Sequence, residues 1–320
     1  MQRLLIFILC LSFSLSAHGQ NNELMGTYKI AFIGQDNESP KYKAIFAGIE
    51  SGARRLGSEY SIDVEVIQLS PNLNSKETDS QSAALAKTFL KNIDGIIISP
   101  NPDESLDTLL KLSKAHGKEI VYIEHSVPNV APFLFLNPDE VLAGQLAGRA
   151  ILKKLPTGGR IAVLSRKDPT QIFKDRLKGV KKILGYKRIE TITYSEPNYK
   201  SATLAIRQTM QKDANHYIKG WIFLEDWALQ GMTNFSWGPR TLPIVTIQTS
   251  PTSYLAFDNG YIESYVLHPY FEWGTISANS IIKKLFKGTE LKEDEISPKP
   301  ILIDWRDIER YREYWKAWLE

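Results

Sequence analysis

Residues 94–124 read D-G-I-I-I-S-P-N-P-D-E-S-L-D-T-L-L-K-L-S-K-A-H-G-K-E-I-V-Y-I-E. Two unbroken apolar runs of strand length, D-G-I-I-I-S and E-I-V-Y-I-E, enclose a segment from Asp103 to His116 whose apolar residues recur every three to four positions. A strand buried on both faces shows no polar alternation, and a helical crossover between two such strands keeps them parallel. The stretch is one strand-helix-strand unit of a parallel sheet. Upstream, K-I-A-F-I-G and I-D-V-E-V-I add two strands, with helical periodicity over Tyr42 to Gly57 and Glu77 to Asn92.

Downstream, H-S-V-P-N-V-A-P-F breaks the rhythm with two prolines, which resist both helix and central strand. The alternation then resumes. R-I-A-V-L-S, R-I-E-T-I-T-Y, K-G-W-I-F-L and P-I-V-T-I are the strands, and Glu140 to Lys154, Gln171 to Leu184 and Lys200 to Lys212 are the helical segments. Gly158, Gly159 and Gly185 stand where helices should stop. The fold class is α/β, two similar doubly wound parallel-sheet lobes joined by a three-crossing hinge. Crossings near Pro132, Pro269 and Pro298 divide the chain into a first lobe, 24–132 plus 269–297, and a second, 133–268 plus 298–320. In open α/β sheets ligands sit beyond the carboxyl ends of the strands, so two facing lobes make a cleft lined by the loops that follow strands.

The chain opens M-Q-R, continues through the apolar run L-L-I-F-I-L-C-L-S-F-S-L and reaches S-A-H-G, the pattern of a secretory signal peptide cleaved after Gly19. A dozen mostly apolar residues make a helix of about 18 Å, short of a hydrocarbon core of about 30 Å. The single cysteine, Cys10, leaves with this leader, which excludes disulfides, thiolate metal sites and a cysteine nucleophile together. Loss of Arg3 takes the basic count from 39 to 38 against 36 acids, a net charge of +2. That balance argues against a nucleic-acid surface. None of the usual metal, serine-nucleophile or nucleotide motifs occurs, and no two histidines share metal-ligand spacing on one helix. No cofactor, no metal and no catalysis are expected.

The markers K-I-A-F-I-G-Q-D-N-E-S-P-K-Y, A-G-I-E-S-G-A, D-G-I-I-I-S-P, Y-I-E-H-S-V, D-R-L-K-G-V, F-L-E-D-W-A-L-Q-G and F-D-N-G-Y, in this order and spacing, resemble the periplasmic sugar-binding proteins typified by the ribose-binding protein, whose lobes are shared with lactose-repressor-type regulators. The resemblance spans roughly Lys29 to Gly288 and implies the type I periplasmic binding protein fold. It also implies a ligand set. Ser39 replaces a first-loop asparagine; Tyr42 falls on an aromatic that stacks on the sugar, and Lys41 replaces that aromatic's neighbour. Glu124 and His125 stand for an aspartate and an arginine, Arg176 matches a ligand-binding arginine, and Tyr199 meets the second stacking aromatic. Glu225 falls on an asparagine, Gln248 on an aspartate and His268 on a glutamine, with Trp227 as a cleft wall. The substitutions imply a ligand different from ribose.

Each position has a plainer role beside this one. Tyr42 and Tyr199 could pack in cores, Glu124 and Glu225 could cap helices, Arg176 could pair with Asp175 at the surface, and Trp227 could fill the core. His125 and His268 could be ordinary hydrogen-bonded residues. In the tail, Trp305, Ile308, Arg312, Trp315 and Leu319 share one helical face, which implies a helix packed on the second lobe or, alternatively, a docking surface for a membrane partner. The expected function is a monomeric periplasmic binding protein that delivers a small polar, sugar-like ligand to an inner-membrane permease. The alternatives are a sensory receptor that signals to a membrane kinase or chemoreceptor, and an enzyme using Glu124 and Glu225 as acid and base.

Overall fold

The computed structural model describes residues 24–72, 80–101, 104–231 and 235–320; the expected leader and the expected helix starts at Glu77 and Asp103 lie outside them. The first half folds as β1 (Thr27–Ile33), α1 (Pro40–Tyr60), β2 (Asp63–Gln68), α2 (Gln81–Leu90), β3 (Gly95–Ile98), α3 (Asp107–Ala115), β4 (Glu119–Ile123) and β5 (Leu134–Leu136). The second runs α4 (Glu140–Lys154), β6 (Arg160–Arg166), α5 (Gln171–Leu184), β7 (Ile189–Ser195), α6 (Tyr199–Lys212), β8 (Ile218–Phe223), β9 (Ile244–Gln248), α7 (Tyr254–Asp258) and β10 (Ile262–Leu267). After it come α8 (Tyr270–Lys287), β11 (Glu295–Ile296), β12 (Ile301–Ile303) and α9 (Ile308–Leu319).

Among the described residues these form two six-stranded sheets, ordered β11-β5-β4-β3-β1-β2 and β12-β10-β9-β8-β6-β7. The pairings of the first sheet are parallel throughout. In the second, β12 runs antiparallel to β10, a departure from the expected all-parallel lobe. β5 also corrects the expected first boundary. It pairs with β4 and β11, so the chain leaves the first sheet after Leu136 rather than at Pro132. The periodicity reading does not pick out β10, which pairs with β9 in the second sheet, or α8, which returns the chain to pack on α1, β3, β4 and β5 of the first.

Each lobe contains one pair of helices in very close approach. A Cβ on Gly144 would overlap the Arg176 carbonyl oxygen, and one on Gly179 the Val141 carbonyl, so α4 and α5 touch backbone to backbone. Gly48 and Gly274 do the same for α1 and α8, against the Phe271 and Ile45 carbonyls. The strand order gives each sheet a switch point, between β1 and β3 in one and between β6 and β8 in the other, and a doubly wound sheet opens its crevice at that point.

The tail corrects a further expectation. α9 packs on α1 and α8 of the first lobe as well as on the second. Trp318 stacks on Phe271 with ring centroids 5.9 Å apart, while the Trp315 indole donates to Gln248 Oε1 at 3.4 Å and Arg312 pairs with Asp258.

Candidate functional site

Glu124, the first residue past β4, takes a left-handed backbone (φ +66°), a conformation that costs a non-glycine residue about 1–3 kcal/mol and persists only where its surroundings enforce it. They do so with hydrogen bonds. Lys41 Nζ lies 3.0 Å from both carboxylate oxygens, and Tyr42 Oη and Ser99 Oγ each donate to Oε2 at 3.2 Å. Burial alone would raise the Glu124 carboxyl, but the Lys41 and His125 side chains outweigh it and hold it below its ordinary value. Burial likewise works to discharge Lys41, yet Glu124 prevails and keeps the ammonium charged. Lys41 Nζ also sits 4.5 Å above the centre of the Tyr42 ring, occupying one face of the aromatic expected to stack on a ligand.

The opposing wall is built around Arg176, which is only 2% exposed. Its Nε and Nη2 donate to Glu140 Oε2 and Oε1 at 2.6 and 3.0 Å, and Nη1 donates to the Leu224 carbonyl at 2.8 Å and to Glu225 Oε2 at 3.2 Å. His268 Nε2 lies 3.2 Å from Glu140 Oε2. Burial opposes ionisation of Glu140, but Arg176 and His268 outweigh it and hold the carboxyl well below the usual range. Arg176 is therefore a structural keystone that reaches the cleft only along one edge, and its partner is not the Asp175 of the surface-pair alternative. Next to Glu225, burial pushes the Asp226 carboxyl up to about 6, against hydrogen bonds from Thr249 and the Ser250 amide that tie the loops after β8 and β9 together.

Between the walls lies a cavity of about 150 Å³. The first lobe lines it with Gln35, Lys41, Asn101, Glu124 and His125, and the second with Arg166, Thr170, Ile172, Phe173, Arg176, Pro197 and Glu225. A neighbouring hollow of about 280 Å³ shares Glu124, His125 and Ile172 and extends to Asn137, Pro138 and Ser297, where the chain passes between sheets. Larger hollows run along β7 and α6 (about 420 Å³) and between α1 and α9 (about 580 Å³). Neither lies at the carboxyl ends of the strands, where open α/β sheets hold ligands, so the smaller interlobe cavity is the candidate site. Burial lowers the His125 imidazole, outweighing the pull of Glu124, so the ring stays neutral somewhat below the usual histidine range.

Lys41, Glu124, His125, Arg176 and Glu225 thus come together as expected from the sequence. Ser39, Tyr42, Tyr199, Trp227, Gln248 and His268 do not line the cavity. Ser39 is the N-cap of α1. Tyr199 is 40% exposed at the start of α6, with its ring against Gly231. Trp227 is buried behind Phe173, edge-on at 5.6 Å, with its indole donating to Ser195 Oγ at 3.2 Å. Gln248 is fully buried; its amide donates to the Ser250 carbonyl and Ser253 Oγ, and its Oε1 accepts from Tyr254 and Trp315. His268 is fully buried beneath Glu140. The sequence reading passed over Gln35, Asn101, Arg166, Phe173 and Glu140. Three of them carried a usable signal, since Gln35, Asn101 and Arg166 end or follow β1, β3 and β6, the strands flanking the switch points.

A family model described as a periplasmic binding protein domain matches residues 30–290. No curated protein matches the sequence. Among solved structures, the chain superposes on the periplasmic ribose ABC transporter protein of Conexibacter woesei with a TM-score of 0.76 at 16% identity, covering 93% of this chain and 99% of that one. The periplasmic binding protein of the arabinose ABC transporter from Shewanella sp. ANA-3, bound to L-arabinofuranose, gives 0.70 at 18% identity over 90% and 95% of the two chains. The Caulobacter myo-inositol binding protein, bound to myo-inositol, gives 0.69 at 17% over 88% and 95%.

Proposed function

Because the chain belongs to the periplasmic binding protein family, we propose that it is an exported solute-binding protein that captures a small polar, sugar-like ligand between its lobes for an ABC-type importer. The observation that carries this reading is the interlobe cavity itself, walled by residues that end or follow strands of both sheets and furnished with carboxylate, amide, guanidinium and aromatic groups. A polyhydroxylated molecule needs that mixture of acceptors, donors and an apolar face. The ribose, arabinose and myo-inositol proteins of the same fold support the ligand class. The leader-like sequence pattern at residues 1–19 supports export, and no described helix is long and apolar enough to cross a membrane.

Glu124 is bound by Lys41 and Glu225 by Arg176, so an acid and base pair finds no support in their surroundings. The lobes are proposed to rotate about 137–139, 268–269 and 297–300, the segments that join the two sheets. Mass spectrometry of material released from the purified protein by mild denaturation is expected to show a small polyhydroxylated molecule. Small-angle scattering should then give a smaller radius when that molecule is restored. If no small polar molecule is released, and none of a panel of sugars and polyols binds, the reading fails.

A further inference from the structure

We infer that the captured solute is a sugar acid, with its carboxylate held by Arg166. This rests on the interlobe solute-binding reading. The cavity brings together three side chains that carry fixed positive charge, Lys41, Arg166 and Arg176. Lys41 is neutralised by Glu124, and Arg176 by Glu140 and Glu225. Arg166 differs. It is the last residue of β6, half-buried at the switch point of the second sheet, and its guanidinium makes no hydrogen bond, ion pair or ring contact with any of the described residues. Even its neighbour Lys167 is paired, with Glu196.

A guanidinium enclosed by a closing cleft without a counter-charge is costly, and its planar fork matches a carboxylate through two parallel hydrogen bonds. The remaining chemistry sets the rest of the molecule. Glu225 accepts a single hydrogen bond from Arg176 and keeps 29% of its side chain exposed, which leaves acceptor capacity for ligand hydroxyls. Glu124, Glu140 and Glu225 match the three cations in number, but two of them engage Arg176, so Arg166 is the one cation without a direct carboxylate partner; a monoanion on it suits the site, and a dianionic phosphate ester is disfavoured by the carboxylates of Glu124 and Glu225. A uronate or an aldonate has these features.

The test is isothermal titration of the mature protein with D-galacturonate, D-glucuronate and D-gluconate, each beside its neutral parent sugar. At least one acid should bind about tenfold or more tightly than its parent, in line with a charge-assisted hydrogen-bond pair. Arg166→Gln should erase that preference without lowering the melting temperature, and Arg166→Lys should restore part of it. A neutral parent that binds as tightly as its acid, or an equal loss for both in Arg166→Gln, overturns the inference and leaves the solute-binding reading in place. Binding of neither class overturns both.

Discussion

Arg176→Ala should cost about 3–5 kcal/mol of stability, because it strands Glu140 as a buried carboxylate without its counter-charge. The loss should show as a lower urea midpoint at neutral pH. Its pH dependence identifies the cause. In the wild type Glu140 is held below its ordinary value of 4.5, so its stabilising contribution is full above that pH and is lost as acid protonates it. In the variant burial favours the protonated carboxyl with only His268 left to oppose it, so the gap between the two proteins should narrow below about pH 4.5. Replacing both partners together, Arg176→Met with Glu140→Leu, should recover much of the loss, since an apolar pair of similar volume needs no compensation. A gap that stays constant with pH would mean that Arg176 acts through packing and not through Glu140.

Trp315→Ala should cost a similar 3–5 kcal/mol, the usual penalty for removing a large aromatic from a core. The ring is 1% exposed, packs 5.3 Å from Trp318 and 6.1 Å from Tyr270, and donates to Gln248. Trp305, 68% exposed just before α9, is the internal control. Trp305→Ala should move the unfolding midpoint by no more than a surface change does, about 0.5 kcal/mol. Equal effects of the two substitutions would place α9 on the surface as a loosely held appendage.

The central strands were legible in the sequence because burial on both faces leaves an unbroken apolar run, as in I-A-F-I of β1 and G-I-I-I of β3. β5 was not. It has three residues, lies between Pro132 and Pro138, and is recognisable only by its partners β4 and β11. The tail helix was legible as an amphipathic element, but its placement across both lobes was not, because periodicity identifies an apolar face without identifying what covers it.

For the site, the rule that ligands gather past strand ends points to Glu124 and Glu225, and both line the interlobe cavity. It failed for side chains whose partners are remote in sequence. Glu140 lies 36 residues before Arg176, at the start of a different helix, and nothing local marks it as the ion that engages that arginine. Gln248 and His268 stand at strand ends as expected, yet Gln248 is engaged by Tyr254 and Trp315, and His268 by Glu140. At those two positions a resemblance in spacing did not carry over to a role in lining the cleft.

The most direct measurement is a crystal structure of the protein with its ligand at saturation. The account predicts the molecule in the interlobe cavity, within hydrogen-bond reach of Glu124 on one side and of Glu225 and Arg166 on the other. A ligand seated in the hollow beside β7 and α6, or in the groove between α1 and α9, with the interlobe cavity holding only water, would contradict it.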